Sequence, residues 1–421
     1  MADFFQNGPI ATLHRLGEPD LARLESELTA FSAERPIALA LPCHAREIGT
    51  PALENILRHL RDAPYLAEIV VGLDGASPAV WKKARKAFAG LPAPVRLLWN
   101  DGPRVKKLLG QLRDSDLAIG ESGKGRNLWL CFGHLLASDT ARVVAVHDCD
   151  ILTYDRAFLA RLCYPVANPA LGYDFAKGYS ARFSDRLHGR VTRLLFTPLV
   201  RALGAILGPH PFLAYLDGFR YALSGEVCLD ARLLRRTRMP ADWGVEVGML
   251  AEMFRLVSPR AVCQVDVAER YDHRHHPVAA SAKSRRSHGL ERTATDVAGC
   301  VFRTLALQGV PLDRAQFDAL LAVYLRTAED AIRTYDAVAG LNGLVTNRHE
   351  EEILAGHFVR SLRDAADAYL ADPLGAPLIP NWNRVEAARP EFFEELRDAV
   401  ERDNKPASKR AKGRDSAVGG R

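Results

Sequence analysis

Residues 141–150 read ARVVAVHDCD, in which the apolar run Val143–Val146 leads directly to two aspartates. A short continuous apolar run without polar alternation is typical of a strand that is buried on both faces of a parallel sheet. Similar runs lie at 37–41, 69–73 and 95–99. Segments with helical spacing lie at 51–63, 78–90 and 124–138. This alternation predicts βαβ units and an α/β fold with a Rossmann-like, mixed but mostly parallel sheet.

The pattern changes at both ends of the chain. Residues 18–34 have the spacing of an amphipathic helix, and helical spacing dominates from about residue 293, at 293–308, 314–340, 350–371 and 390–403, with a proline-rich loop at 372–389. The predicted organisation is an N-terminal helical segment (1–35), two halves of a sheet domain (36–155 and 156–290), a helical C-terminal part (291–403) and a disordered basic tail (404–421).

Composition and charge exclude several classes of protein. The 421 residues are 48% hydrophobic and 25% charged, as in ordinary globular proteins. The net charge of +5 resides entirely in residues 404–421, so the folded body is net neutral and we expect no nucleic-acid partner. Seven cysteines form no C-x-x-C pair, which speaks against a zinc site or disulfide framework and suits a cytoplasmic protein.

The sequence contains no pattern of a signal peptide and no segment suited to stable membrane insertion. The most apolar stretch, 194–209, is short and is interrupted by Arg201. A buried helix or a homodimer interface is the favoured interpretation of this stretch, and a helix lying on a membrane surface is the alternative.

Polar side chains follow the predicted strands. His44 and Glu47 come after the first strand, Asp74 after the second, and Asp148 and Asp150 after the fourth. In open α/β sheets ligands bind in the crevice at the carboxyl ends of the strands, so these groups should share one rim. The carboxylates of a D-x-D sequence suit Mg²⁺ or Mn²⁺, although a D-x-D alone could simply cap a strand.

Three glycine-containing elements also suggest binding. Gly123-Lys124-Gly125 opens a helix, where backbone N–H groups and a cation can face one anion, but its spacing is not that of a P-loop. Gly189-Arg190-Val191-Thr192 can hold a phosphate or carboxylate, and Lys177, Arg182 and Arg186 add positive charge nearby. Glu246, within 244–248, starts another helix, where it could complement the helix dipole or bind a ligand.

The segment 271–277, YDHRHHP, holds three histidines. Histidine is a common metal ligand, but no matching Cys or His cluster accompanies this segment, so a surface loop and a metal site both remain open.

Together and in this order, these elements resemble the glucosyl-3-phosphoglycerate synthases, retaining glycosyltransferases of the GT-A type in family 81. The resemblance runs from about residue 36 to 280. It is carried by LPCHARE (41–47), GKGRNLW (123–129), DCD (148–150), GRVT (189–192), SGE (224–226), GVEVG (244–248) and HRHHP (273–277).

The resemblance implies an enzyme that moves glucose from a nucleoside-diphosphate glucose, most simply UDP-glucose, to the 2-hydroxyl of 3-phosphoglycerate, with Mg²⁺ or Mn²⁺ as cofactor. Residues 36–155 would bind the donor and residues 156–290 the acceptor. The donor site implied by the resemblance comprises Pro42, Cys43, His44, Glu47, Asp74, Gly123, Lys124, Asp148 and Cys149.

The remaining implied roles concern the metal, catalysis and the acceptor. Asp150 and His273 would hold the metal ion, and Asp150, Lys124 and Glu246 would be catalytic. The implied acceptor site comprises Gly189, Arg190, Val191, Thr192, Tyr271 and His275. In the family an arginine stands where this chain has Tyr271, an asparagine where it has His275, and a serine where it has Cys149.

Three alternatives stay open at this stage. A related synthase could transfer mannose or use another small anionic acceptor. A nucleotidyltransferase would need a glycine-rich loop after the first strand, and residues 42–47 contain no glycine. A non-enzymatic protein that binds nucleotide-sugars is the more distant alternative.

Overall fold

The computed structural model describes residue 6, residues 8–272 and residues 287–405. Its centre is one sheet of eight strands: β1 (Ala11–Leu13), β2 (Ile37–His44), β3 (Leu66–Asp74), β4 (Val95–Trp99), β5 (Val143–Val146), β6 (Phe175–Arg182), β7 (Val227–Asp230) and β8 (Val262–Tyr271). Their order across the sheet is β1-β8-β6-β7-β5-β2-β3-β4.

All pairings are parallel except those of β7, which runs antiparallel to both β5 and β6. The carboxyl ends of β2, β3, β5, β6 and β8 therefore lie at the same edge of the sheet. The predicted fold class, a mixed and mostly parallel sheet with a helical C-terminal extension, is confirmed.

Helices cover both faces of the sheet. Those of the sheet region are α1 (Leu21–Glu34), α2 (Pro51–Leu60), α3 (Pro78–Ala87), α4 (Pro103–Asp114), α5 (Lys124–Ser138), α6 (Arg156–Ala167), α7 (Thr197–Leu207), α8 (Pro211–Asp217) and α9 (Val245–Leu256). The C-terminal helices are α10 (Ser287–Leu307), α11 (Arg314–Leu341), α12 (Arg348–Ala371), α13 (Trp382–Ala388) and α14 (Phe392–Asn404).

The central strands are apolar throughout because both of their faces are buried. Ile37, Leu39 and Leu41 of β2 pack into one hydrophobic core, whereas Ala38 and Ala40 pack into the core on the opposite face. Successive side chains of a strand point to opposite faces, so a layer of helices on each side requires an uninterrupted apolar sequence.

The apolar stretch that begins at residue 194 is part of the core. It spans a short π-helix, Val191–Phe196, and α7, and Leu194, Leu199 and Leu203 are completely buried. Among the described residues, no helix has the length and apolar character needed to cross a membrane. Burial within the chain is sufficient to explain the hydrophobicity of this stretch.

Two local predictions differ from the structure, and one helix was missed. The N-terminal segment 1–35, predicted as helical, contains the edge strand β1, which is too short to leave a periodic pattern. The predicted loop 372–389 contains α13, because its prolines lie before the helix and not within it. Helix α4 was not predicted.

The C-terminal helices hold the sheet domain closed. The ring of Trp382 in α13 stacks on Trp129 of α5 with ring centroids 4.0 Å apart, and the Trp129 indole donates a hydrogen bond to the Pro380 carbonyl at 2.9 Å. A methyl group on Gly133 would lie 2.2 Å from the Trp382 ring, so this contact requires glycine.

Asn404, which we had placed in the basic tail, instead ends α14 and covers the open edge of the sheet. Its side chain accepts a hydrogen bond from the Leu97 amide at 3.1 Å and donates one to the Leu97 carbonyl at 2.9 Å. Because an exposed strand edge is a template for aggregation, α14 protects β4.

The substitution Trp382→Ala should lower the free energy of unfolding by about 3–5 kcal/mol, since it removes a buried stacked ring. Urea unfolding followed by circular dichroism measures this change. The matched control is Trp243→Ala, whose side chain is 44% exposed and whose loss should cost less than about 1 kcal/mol. Equal effects of the two substitutions would contradict the role of the Trp129–Trp382 stack.

Candidate active site

A cleft of about 1570 Å³ opens at the carboxyl ends of β2, β3 and β5. One wall consists of the strand ends and the start of α5. The opposite wall comes from the segment 238–243, from α9 and α10, and from the loop 374–381 before α13. The helical C-terminal part therefore forms part of the cleft itself.

Most of the predicted donor-binding residues line this cleft. They are Pro42, His44, Glu47, Asp74, Gly123, Lys124, Asp148 and Cys149, and Asp150 lies with them. Cys43 is an exception, because its side chain is completely buried in the core beneath the strand. The alternation of side chains along β2 turns Cys43 away from the rim that Pro42 and His44 face.

Lys124 is the central cation of the cleft. Its Nζ lies 2.7 Å from Asp148 Oδ1 and 2.9 Å from Glu246 Oε1, so it joins the end of β5 to the start of α9. Burial disfavours the charged ammonium, but the two carboxylates outweigh burial and raise the pKa of Lys124 above its usual range. Lys124 therefore remains charged at neutral pH.

Two glycines fix the position of Lys124 at the start of α5. A methyl group on Gly125 would lie 1.9 Å from the Pro240 carbonyl oxygen, and one on Gly123 would lie 2.6 Å from the Ala241 carbonyl oxygen. Because both glycines lack a side chain, the start of α5 packs directly against the backbone of Pro240 and Ala241 in the opposite wall. This close packing brings Lys124 within reach of Glu246.

A third glycine makes room for the contact between Lys124 and Asp148. A Cβ atom on Gly225 would lie 2.5 Å from Asp148 Oδ2 and 2.8 Å from Lys124 Nζ. Burial alone would raise the pKa of the Asp148 carboxyl, but the neighbouring Lys124 outweighs burial and lowers that pKa. Asp148 is therefore ionised and paired.

Asp150 has a different environment. Burial, followed by repulsion from Asp148, raises the pKa of the Asp150 carboxyl to about 7. A buried carboxylate that lacks enough positive charge around it is suited to a cation, and its oxygens are the ligands that Mg²⁺ and Mn²⁺ prefer. Asp150 therefore fits a divalent cation, whereas both oxygens of Asp148 already contact Lys124 Nζ.

The other predicted metal ligand, His273, lies outside the described residues, as does His275. Within 8–272 and 287–405, no group of three acidic, histidine or cysteine side chains is arranged to hold a metal ion. A site that combines Asp150 with His273 stays a prediction.

Polar groups at the ends of β2 and β3 complete the donor side. The Ser122 hydroxyl donates to Asp74 Oδ1 at 2.8 Å, which ties the loop before α5 to the end of β3. Glu47 is buried, and its Oε1 accepts a hydrogen bond from Arg46 Nε at 3.0 Å. The carboxylates of Asp74 and Glu47 therefore face the cleft in fixed positions. Such positions suit carboxylates that accept hydrogen bonds from the hydroxyl groups of a ligand.

The predicted acceptor element, residues 189–192, lies beside the cleft and does not line it. Gly189 has φ +70° and packs against Tyr221, where a methyl group would lie 2.9 Å from the hydroxyl oxygen. Val191 and Thr192 begin the π-helix, a feature often found at functional sites. Arg190 Nη2 lies 4.0 Å from Glu350 Oε2 on α12.

Tyr271 is buried beneath this region. Its hydroxyl donates to Glu226 Oε1 at 2.8 Å, and its ring supports the guanidinium of Arg182. Glu226 and Tyr221 were given no individual role from the sequence, because only their distant contacts single them out.

A charged side chain in an apolar strand is a signal that the sequence does contain, and Lys177 on β6 is an example. Lys177 is buried and donates to the Ser224 carbonyl at 2.7 Å.

The substitution Asp150→Asn should raise the melting temperature of the metal-free protein by a few degrees at pH 8.5 and have little effect at pH 4. The pKa of Asp150 rises from about 3.9 in the unfolded chain to about 7 in the fold, so the cost in stability builds up as the pH rises between these two values and is complete above pH 7. The cost is lost as the pH falls to about 3.9 and below, where the carboxyl is protonated in both the folded and the unfolded chain.

Thermal unfolding in a chelating buffer at both pH values tests this prediction. Asp398→Asn, at an exposed position on α14, is the control and should show no such pH dependence. A variant that is equally destabilised at both pH values would show that the Asp150 carboxylate is not held in an unfavourable environment.

Comparison with known proteins places this site in a family. No family model matches the chain. It is 43% identical over 339 residues to a protein named glucosyl-3-phosphoglycerate synthase from Persephonella marina, covering 80% of this chain and 83% of that protein. A protein of the same name from Methanococcoides burtonii is 33% identical over 342 residues, covering 80% and 82%.

Solved structures have the same fold. Glucosyl-3-phosphoglycerate synthase from Mycobacterium tuberculosis, in complex with Mn²⁺, UDP-glucose and phosphoglyceric acid, matches with a TM-score of 0.51 and 24% identity, covering 73% of this chain and 90% of that chain. Mannosyl-3-phosphoglycerate synthase from Rubrobacter xylanophilus matches with a TM-score of 0.52 and 21% identity, covering 72% and 83%. At these identities the likeness supports the fold alone.

Both sequence relatives are more than 30% identical to this chain and match it over four fifths of its length. The chain therefore belongs to the glucosyl-3-phosphoglycerate synthase family and is a glycosyltransferase.

Proposed function

We propose that this glycosyltransferase moves glucose from UDP-glucose to the 2-hydroxyl of 3-phosphoglycerate, with retention of configuration, to give glucosyl-3-phosphoglycerate, the first step towards glucosylglycerate. The names of the two relatives support this choice of sugar and acceptor. The observation that carries the proposal is the position of Lys124, whose ammonium group touches carboxylates from the donor half and from α9 in one cleft.

The reaction forms a bond between the acceptor oxygen and the anomeric carbon and breaks the bond from that carbon to the diphosphate. The bonding electrons leave with UDP, so negative charge develops on the diphosphate oxygen. A cation that is already fixed and desolvated stabilises this charge without reorganisation, and Lys124 is such a cation. The acceptor hydroxyl loses its proton as the new bond forms, and the departing diphosphate oxygen, which has gained the bonding electrons, takes up this proton.

Asp150 would hold the divalent cation, Mg²⁺ or Mn²⁺, with His273 as the further ligand implied by the family resemblance. When bound, this cation supplies additional positive charge at the donor diphosphate. Asp148 holds Lys124 in place and can accept a hydrogen bond from a donor ribose. These roles require both aspartates to face the cleft, and both line it.

Glu246 is suited to position the sugar or the acceptor. Its Oε1 contacts Lys124 Nζ at 2.9 Å, which fixes the orientation of the carboxylate. Glu246 starts α9, so the helix dipole also favours its negative charge. Arg190 and Thr192 would hold the anionic end of the acceptor. This binding would orient the acceptor hydroxyl towards the anomeric carbon of the donor sugar.

We place the enzyme in the cytoplasm. All seven cysteines are free and buried, which suits a reducing compartment. A homodimer stays a prediction of the sequence.

Incubation of the protein with UDP-glucose, GDP-glucose or GDP-mannose, each with 3-phosphoglycerate or glycerate and Mg²⁺, tests the substrates directly. Mass spectrometry should detect glucosyl-3-phosphoglycerate from UDP-glucose, and a chelator should abolish its formation. Product from GDP-mannose alone would identify a mannosyl transfer instead. Binding of UDP-glucose without turnover for any acceptor would indicate a non-enzymatic binding protein.

The substitution Lys124→Ala should lower kcat by about 10²–10³-fold, because a preorganised cation is removed from the charge that develops in the transition state. Steady-state release of UDP measures the loss. Lys82→Ala, at an exposed position on α3, is the control and should retain full activity. Similar activity of the two variants would rule out the proposed role of Lys124.

A further inference from the structure

We propose that Arg182 binds the carboxylate of the acceptor and thereby makes the enzyme selective for 2-hydroxy acids. This inference rests on the proposed function, because it assigns a chemical group of the acceptor to one residue. It adds a specificity-determining side chain to the element 189–192, and it gives Tyr271 a supporting role in place of direct contact with the acceptor.

Arg182 lies at the same edge of the sheet as the cleft, next to the residues that line it and not among them. It is the last residue of β6 and is paired in register with Tyr271, the last residue of β8. Both strands run parallel to β5 in the sheet, so their carboxyl ends lie on the same side as Asp148 and Asp150. Ligands bind along this edge in open α/β sheets.

The guanidinium of Arg182 is held rigidly. It lies over the rings of Tyr221 and Tyr271, at 4.0 Å and 3.9 Å from their centroids, and its Nη2 donates to Glu226 Oε2 at 3.0 Å. The Tyr271 hydroxyl donates to the other oxygen of Glu226. Three side chains therefore fix one cation, whose side chain is only 10% exposed.

This arrangement leaves part of the guanidinium unused. The group has five N–H donors in one plane, and the two tyrosine rings occupy its faces, so further ligands must approach in the plane. The buried Nε has no hydrogen-bond partner in the part of the chain that the structure describes. Burial without a partner is costly for such a donor, and a planar carboxylate approaching in the plane would satisfy it.

The neighbours of Arg182 indicate which end of the acceptor it meets. Gly225 packs against Lys124 Nζ and Asp148 Oδ2, and the next residue, Glu226, holds Arg182. Arg182 also interacts electrostatically with Asp148. The reacting 2-hydroxyl of 3-phosphoglycerate is attached to the carbon beside the carboxylate, whereas the phosphate is one carbon further away. A cation that is linked to the Lys124 site through Asp148 and the pair Gly225-Glu226 therefore matches the carboxylate.

The phosphate of the acceptor is then bound by the element 189–192. Tyr221 connects the two subsites, because it supports Arg182 with its ring and contacts Gly189 with its hydroxyl. Thr192 is buried, and its Oγ1 has no hydrogen-bond partner among the described residues. An acceptor with an anionic group at each end could offer a partner to both the Arg182 Nε and the Thr192 Oγ1, whereas a neutral alcohol could not.

The test compares 3-phosphoglycerate with glycerol 3-phosphate, which keeps the 2-hydroxyl and the phosphate but lacks the carboxylate. The wild-type enzyme should prefer 3-phosphoglycerate. The double variant Arg182→Gln with Glu226→Gln should lose about 30-fold in kcat/KM for 3-phosphoglycerate and less than about 3-fold for glycerol 3-phosphate. The second substitution avoids leaving Glu226 buried without its cation.

Two controls separate binding from folding. Glu226→Gln alone keeps Arg182 and should retain the preference for the carboxylate. Arg201→Gln removes an exposed arginine that is paired with Asp217 and should leave both acceptors unaffected. If thermal unfolding shows that the double variant does not fold, Arg182→Lys takes its place, because it keeps the charge and loses the planar fork; the preference should fall about 10-fold.

The outcomes distinguish this inference from the proposed function. Wild-type protein that glycosylates neither acceptor would refute the proposed function and this inference with it. Wild-type protein that prefers 3-phosphoglycerate, together with a folded Arg182 variant of unchanged preference, would refute the inference alone. A collapse of the preference that is specific to the Arg182 variants would support it.

Discussion

The contact of Lys124 with Asp148 and Glu246 is the interaction on which the active site depends. It joins the start of α5, the end of β5 and the start of α9, three elements that are distant in sequence. Three glycines exist at this site because any side chain would push the groups apart. Without the ammonium group, two carboxylates would face each other in a partly buried cleft, with nothing to offset their repulsion.

The helical C-terminal part is needed for the same site. It carries the Trp382 ring that packs on α5, part of the wall of the cleft that faces the strand ends, and the Asn404 side chain that covers the edge strand β4. A helix that positions the catalytic lysine is thus held in place by a segment more than 250 residues away. Stability and function therefore share one set of contacts, except at Asp150, where a carboxylate is kept in an unfavourable environment that a metal ion would relieve.

The sequence predicted the sheet and the rim of the cleft because both depend on local patterns. Apolar runs marked the strands, and the polar residues directly after them had to meet at one edge. The contact between Lys124 and Glu246, the burial of Cys43 and the support of Arg182 by Tyr271 were not predicted, because they depend on how distant elements pack. Helix α13 was also missed, because the prolines that precede it made the whole segment look like a loop. The roles of His273 and His275 remain predictions of the family resemblance.

The central claim is that the edge formed by Asp148, Asp150 and Lys124 receives the metal ion and the diphosphate of the donor. A crystal structure of the protein with Mn²⁺ and UDP, with anomalous scattering data recorded for manganese, measures this directly. The account predicts one strong anomalous peak beside the Asp150 carboxylate, with the diphosphate within reach of Lys124. A peak elsewhere in the protein, or UDP bound away from this edge, would contradict it.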